Sequence, residues 1–192
     1  MKALISLTGY SNSGKSTIAH KLAAQYGFNI ISGSGMLKDA HAALPEDQRP
    51  PLVTRADYLN FNNIWREQCG IDAMAQKVLE FQKTNPGLIC YDGVRNFSDA
   101  KTLQRNGSLI VALTCTFNER FERATLAKKE RDSLDRDAFF EDERIEANSP
   151  DPLGLHIQKV MEIADLTINT SQPIENVIKD LRGALKTWGI RF

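Results

Sequence analysis

The sequence predicts a three-layer α/β fold, with a mainly parallel sheet covered by helices on both faces. Two observations predict it. Short apolar runs of strand length alternate with helical patterns along the 192 residues. The first run ends in a glycine-rich turn that leads directly into a helix, so strand, turn and helix are read together.

The elements follow in order. Lys2 to Thr8 reads as a buried strand and Thr17 to Tyr26 as a helix with Ile18, Leu22 and Tyr26 on one face. Gly27 ends that helix. Phe28 to Ile31 is a second strand, Ser32 to Gly35 a turn, and a helix is expected after it. The run Pro45 to Pro51 breaks any helix. Residues Ala56 to Gln82 are helical with an interruption near Gly70. Leu88 to Tyr91 is a third strand, Ala100 to Arg105 a helix, and the β-branched run Ser108 to Thr116 a fourth strand. From Glu119 to Glu146, 7 Lys or Arg and 10 Asp or Glu fall among 28 residues, which predicts a solvated helical segment. Leu166 to Ile168 is a last strand and Ile174 to Trp188 an amphipathic closing helix, with Trp188 assigned a structural role.

Length, composition and charge narrow the function. The chain fits one domain, and 42% hydrophobic residues give it a sizeable core. The formal net charge is zero, which argues against a basic face for a polynucleotide or for anionic lipid. No apolar run approaches the ~20 residues that span a bilayer, and the N-terminal run is too short for a secretory segment. A cytoplasmic chain, monomer or homodimer, is expected. The three cysteines, Cys69, Cys90 and Cys115, form neither a disulfide framework nor a zinc pattern. Cys90 and Cys115 read as buried thiols. His20 reads as a surface residue, and Phe61 and Trp65, four apart, as core residues in preference to a pair that stacks a base.

The glycine-rich turn Gly9-Tyr10-Ser11-Asn12-Ser13-Gly14-Lys15-Ser16 fits G-x-x-x-x-G-K-[ST]. Phosphate oxygens need several converging backbone N–H groups, and Gly9 and Gly14 let the chain curl around them. The helix that follows aims its positive end at the phosphates. Lys15 adds a mobile charge that can follow the γ-phosphoryl group, and the Ser16 hydroxyl suits Mg²⁺. The fold expected is therefore that of the P-loop NTPases, and the ligand ATP. Asp92, in Asp92-Gly93-Val94-Arg95, follows the third strand at its carboxyl end, where ligand crevices of open α/β sheets lie. It can hold Mg²⁺ through water or orient an attacking oxygen.

With these motifs in hand, the chain resembles the nucleoside monophosphate kinase group of P-loop proteins. That group includes adenylate kinase-like enzymes, dephospho-coenzyme A kinases and archaeal kinase-like relatives. Asp92 to Arg95 resembles the group's D-G-x-x-R stretch, and Arg120 to Arg131 its arginine-bearing helix leading into a lid. Ala164-Asp165-Leu166-Thr167-Ile168-Asn169 resembles its A-D-x-x-I-x-N segment. The resemblance implies a single kinase domain over 1–192, with an acceptor-binding insert over 37–72 and a lid over 119–148. It implies that Gly9, Ser11, Asn12, Ser13, Gly14, Lys15, Ser16 and Thr17 bind the ATP phosphates. Ser16 and Asp92 would serve the metal, and Lys15, Asp92, Arg131 and Arg136 the transfer itself. Arg123 would approach the phosphoryl group or the adenine, and Asn169 and Thr170 the base. Arg55, Tyr58, Arg66 and Arg95 would hold the acceptor, with Asp57 and Asn62 beside them.

One departure bears on that acceptor. Many relatives carry an aspartate in the turn after the second strand, suited to orient a hydroxyl. Here that turn is Ser32-Gly33-Ser34-Gly35, with no carboxylate before Asp39. An acceptor phosphate is already anionic and needs no strong base. The reading is an ATP- and Mg²⁺-dependent kinase acting on a small nucleotide-like acceptor, first a nucleoside or deoxynucleoside monophosphate. Two alternatives stand beside it: a hydroxyl-directed kinase, as for dephospho-coenzyme A, and a nucleotide-binding regulatory protein.

Overall fold

The computed structural model describes residues 3–128 and 135–190. Five strands, β1 (Ala3–Thr8), β2 (Asn29–Ser32), β3 (Leu88–Asp92), β4 (Leu109–Thr114) and β5 (Leu166–Asn169), form one sheet in the order β2-β3-β1-β4-β5. Every neighbouring pair is parallel. Parallel neighbours need crossovers, and helices supply them on both faces.

The period of two along each strand sorts the core. Ile5, Leu7, Cys90, Val111 and Leu113 point to one face, against Ile18 and Leu22 of α1 (Lys15–Tyr26) and Val177, Leu181 and Leu185 of α9 (Ile174–Thr187). Leu4, Ile89, Tyr91 and Ile110 point to the other. There they meet Ala75 and Val78 of α4 (Ala73–Thr84), Ala100 and Leu103 of α5 (Phe97–Arg105) and Val160 of α8 (Ile157–Glu162). Each fully buried Leu or Ile contributes about 1.5–3 kcal/mol relative to exposure. The expected three-layer architecture is thus present.

A third apolar cluster lies outside the sheet. Leu37 of α2 (Gly33–Ala42), Phe61 and Trp65 of α3 (Arg55–Cys69), and Ala73 and Met74 pack together. Phe61 and Trp65 are core residues, as expected in preference to base stacking. Thr54 and Asp57 close a capping box at the start of α3, and a 3-10 turn at Glu46–Gln48 occupies the proline-bounded stretch before it.

Three expectations need correction. Ser32 to Gly35 is not a turn: Ser32 caps α2, its hydroxyl accepting the Gly35 N–H at 3.0 Å, and the helix starts at Gly33. The charged segment is not simply solvated. It contains α6 (Phe117–Ala127) and α7 (Arg136–Ala147), and α7 buries Phe139, Glu143 and Glu146 on one face at helical spacing. Charge density hid that stripe, because two of its three members are glutamates. Trp188 follows α9 and is 41% exposed, so it is no core residue. Cys90 is buried and Cys115 half-buried, while Cys69 is exposed. His20 is on the surface. Among the described residues no helix is long and apolar enough to cross a membrane.

Candidate functional site

The glycine-rich loop leaves the carboxyl end of central strand β1 and enters α1. Its backbone takes conformations that L residues rarely adopt: φ is 134° at Gly9 and 95° at Gly14, with Asn12 at 58°. At Gly9 space also forbids a side chain, since a Cβ there would lie 2.4 Å from the Leu113 carbonyl oxygen. The Lys15 ammonium is folded back over the loop, donating to the carbonyls of Gly9 at 2.8 Å and Tyr10 at 2.7 Å. Neighbouring elements brace the loop. Thr170, just past β5, donates its hydroxyl to the Ser13 carbonyl at 2.9 Å. Arg123 of α6 donates to the Thr170 carbonyl at 2.7 Å and to Asn12 O at 3.4 Å.

Asp92 ends β3, the strand paired with β1, and its carboxylate accepts the Ser16 hydroxyl at 2.6 Å. These residues are 76 apart in sequence. Two hard oxygens meeting at the mouth of a phosphate-binding loop suit Mg²⁺. That ion uses one or two protein oxygens and fills its remaining positions with phosphate oxygens and water. No group of three or more His, Cys, Asp or Glu side chains able to hold a metal occurs among the described residues.

The loop and α3 line one cavity of about 410 Å³. Ser11, Asn12, Gly14, Lys15, Ser16, Thr17, Asp92 and Arg123 line the part beside the loop. Arg55, Tyr58, Asn62, Arg66 and Arg95 line the opposite part, together with the apolar Leu37, Leu59, Met74 and Leu155. The arginines are held differently. Arg66 is buried against Asp99 through a short ion pair and donates its Nε to Asn62 Oδ1 at 3.1 Å. Burial raises the Asp99 carboxyl above its usual range, and the adjacent Arg66 opposes that rise. Arg55 and Arg95 both face Glu146 of α7, at 3.8 and 3.3 Å, and Arg55 also meets Asp142 at 3.4 Å. The Arg55 guanidinium lies over the Phe139 ring, 5.2 Å from its centroid.

Not every expected residue comes to this cavity. Arg136 lies on Phe117, 4.9 Å from the ring centroid, and donates to Asn118 Oδ1 at 2.5 Å; it does not line the cavity. Asn169 is exposed and accepts from the Ser171 N–H at 2.8 Å, also away from the lining. Asp57 is spent on the capping box. Arg131 lies outside the described residues. Conversely, Glu146 counts in the sequence only as one acidic residue among ten, yet it sits between two cavity arginines. The spacing of Phe139, Glu143 and Glu146 was the available signal. Arg120 was also missed as a brace: it grips Glu143 with two hydrogen bonds of 2.7 Å and stacks over Tyr10 of the loop, 4.8 Å from its centroid.

No protein-family model matches this sequence, and no curated protein sequence matches it. Solved structures do match in fold. Shikimate kinase from Bacteroides thetaiotaomicron is 17% identical with a TM-score of 0.61, over 96% of this chain and 98% of its own. Shikimate kinase from Acinetobacter baumannii, solved with shikimate, is 18% identical with a TM-score of 0.59, over 97% and 96%. A gluconokinase from Sinorhizobium meliloti 1021 is 18% identical with a TM-score of 0.55, over 97% and 93%. At these identities the likeness is one of architecture. Over nearly its whole length, this chain has the fold of the P-loop kinases.

Proposed function

We propose that this chain is an ATP-dependent kinase that passes a γ-phosphoryl group to a small anionic acceptor, with a nucleoside or deoxynucleoside monophosphate ranked first. The observation that carries the proposal is the single cavity shared by the Gly9–Ser16 loop, the Ser16–Asp92 pair and, away from the loop, the three arginines Arg55, Arg66 and Arg95. Phosphoryl transfer leaves a protein little covalent work, so positioning and charge stabilisation carry the rate. The loop amides and the start of α1 would cradle the ATP phosphates. Lys15, which donates to the carbonyls of Gly9 and Tyr10, can exchange them for phosphate oxygens of higher charge. Mg²⁺, when bound, supplies positive charge to those oxygens, and Ser16 and Asp92 would hold it. Arg123, anchored on Thr170, presents its guanidinium to the same end of the cavity.

The acceptor ranking rests on the carboxylates available. Among the described residues, those lining the cavity are Asp92, engaged by Ser16, and Glu146, engaged by arginines. Neither is a ready base for a neutral hydroxyl, whereas a phosphate oxygen needs none. Arg95 is the most open of the three arginines, with 26% of its side chain exposed. The fold-level likeness to shikimate kinases and a gluconokinase favours the second reading, a hydroxyl acceptor with Asp92 as base. A coupled assay of ADP formation with monophosphates, nucleosides, sugar acids and dephospho-coenzyme A, with product masses checked, separates the two. The first reading predicts a diphosphate product. A phosphorylated hydroxyl with every monophosphate inert would replace it by the second.

A further inference from the structure

Arg95 lies in the short connection between β3 and α5, outside both elements, yet its backbone is pinned on two sides. Its carbonyl accepts the His156 N–H at 2.8 Å. The next residue, Asn96, is fully buried, and its carboxamide is used at both ends. The oxygen accepts the Ser98 N–H at 2.8 Å and caps α5. The nitrogen donates to the carbonyls of Pro152 at 3.1 Å and Gly154 at 2.6 Å. An N–H must face the amide oxygen and a carbonyl must face the amide nitrogen, so these partners fix which way the group points. The receiving segment, 149–156, is itself tied down. The Ser149 N–H donates to the Leu155 carbonyl at 2.9 Å, and the Leu153 N–H to Asp151 Oδ1 at 2.9 Å. From α3, Asn63 donates its amide to Asp151 Oδ2 at 3.1 Å. We infer that Asn96 is a positioning residue, which acts through Arg95 and sets where that guanidinium meets an anion in the cavity.

The inference rests on the reading of Arg95 as an anion-binding residue and goes beyond it. A helix cap needs only an oxygen. Ser, Asp and Asn serve about equally well there, so the bond to Ser98 does not call for an amide. The two donated bonds do call for one, and both run to the segment that also holds the Arg95 carbonyl. Without them, two carbonyls lose a donor and the chain beside Arg95 is free to shift. A guanidinium grips an anion through N–H groups of fixed direction, so a small displacement of its backbone lowers affinity. Glu146 faces Arg95 at 3.3 Å, and any anion must compete with it. That competition is the same in every Asn96 variant and cancels when they are compared.

The test uses sulfate as a stand-in for a phosphate dianion. Full-length protein saturated with Mg-ADP is titrated while NMR follows the Arg95 and Arg55 amides; the same spectra report folding. Asn96→Ser keeps a capping oxygen but is too short to reach Pro152 and Gly154. Its Kd for sulfate should rise about tenfold, with the affinity for Mg-ADP unchanged. In an Arg95→Lys background the same change should cost much less, because an ammonium is a point charge that needs no fixed fork. An unchanged sulfate Kd in Asn96→Ser would make Asn96 a cap only and overturn the inference. So would an equal loss in the Arg95→Lys background, or a parallel loss of Mg-ADP affinity, since either marks a general loosening. If Asn96→Ser is unfolded, Asn96→Asp takes its place with the same expectations. It keeps the shape and the cap, and in alkaline buffer its ionised carboxylate cannot donate. A wild type whose Arg95 amide does not respond to sulfate would overturn the inference together with the place of Arg95 in anion binding. Inert monophosphates in the kinase assay would instead sink the acceptor reading and leave the coupling of Asn96 to Arg95 standing.

Discussion

Lys15 and Asp92 carry the sharpest residue-level expectations. Lys15→Ala removes a charge from the phosphate end and should leave the fold intact. Losing one transition-state donor costs roughly 3 kcal/mol, about a hundredfold or more in turnover. Steady-state kinetics check this, and near wild-type turnover would remove the loop from the chemistry. Asp92→Asn keeps the shape but lowers the charge beside Ser16. Activity should then require more Mg²⁺, while metal-free nucleotide binding changes little. Superimposable Mg²⁺ activation curves would make Asp92 a turn residue only. Both positions were legible in the sequence because the loop is a local motif and Asp92 stands at a strand end. Glu146 was not, since its meaning depends on Arg55 and Arg95, 91 and 51 positions away. Arg136 and Asn169 were assigned by resemblance, and the cavity lining does not include them.

At the scale of elements, α6 and α7 are joined by buried charge rather than by apolar contact alone. Arg120 and Glu143 form a bidentate pair with little exposure, 11% and 6% of their side chains. Removing one partner of such a pair leaves the other charge buried, at about 3–5 kcal/mol. Arg120→Ala should therefore lower unfolding stability by an amount in that range, read from denaturant melts. A loss below about 1 kcal/mol would mean that water already solvates Glu143. The cap of α6 makes a pH prediction. Glu119 accepts from Thr116 and from Ser171, which holds its carboxyl down at about 2, against an ordinary 4.5. A depressed folded value means that this contribution is complete above pH 4.5 and is lost as pH falls from there toward 2. The melting-temperature gap between wild type and Glu119→Gln should shrink over that window; a gap constant with pH would contradict the assignment. The sequence revealed most elements, because long apolar runs and helical spacing are local signals. It missed α8, whose 6 residues are too few for a periodic pattern, and the capped start of α2, where Ser-Gly-Ser-Gly reads as a turn.

For the whole molecule, the sheet order brings the loop after β1 and the end of β3 side by side, and α2, α3 and α7 complete the cavity around them. Three-layer packing was legible in the alternation of strands and helices. The meeting of the loop and the α3 side chains in one cavity was not, because it arises from contacts between distant segments. If the segment 119–148 acts as a lid, binding of Mg-ATP with an acceptor should slow amide exchange in α6 and α7 relative to Mg-ATP alone. Equal protection would make it a fixed part of the wall. On the proposed reading, the phosphoryl group passes directly within that cavity from ATP on the loop to an acceptor beside α3. ATP labelled in its γ-phosphoryl group, incubated with the protein and the acceptor panel, tests it most directly. Direct transfer should leave the label in a phosphorylated acceptor, and Lys15→Ala should abolish it. Label recovered only as inorganic phosphate, or retained in ATP with every acceptor, would contradict it and identify a hydrolase or a nucleotide-binding switch.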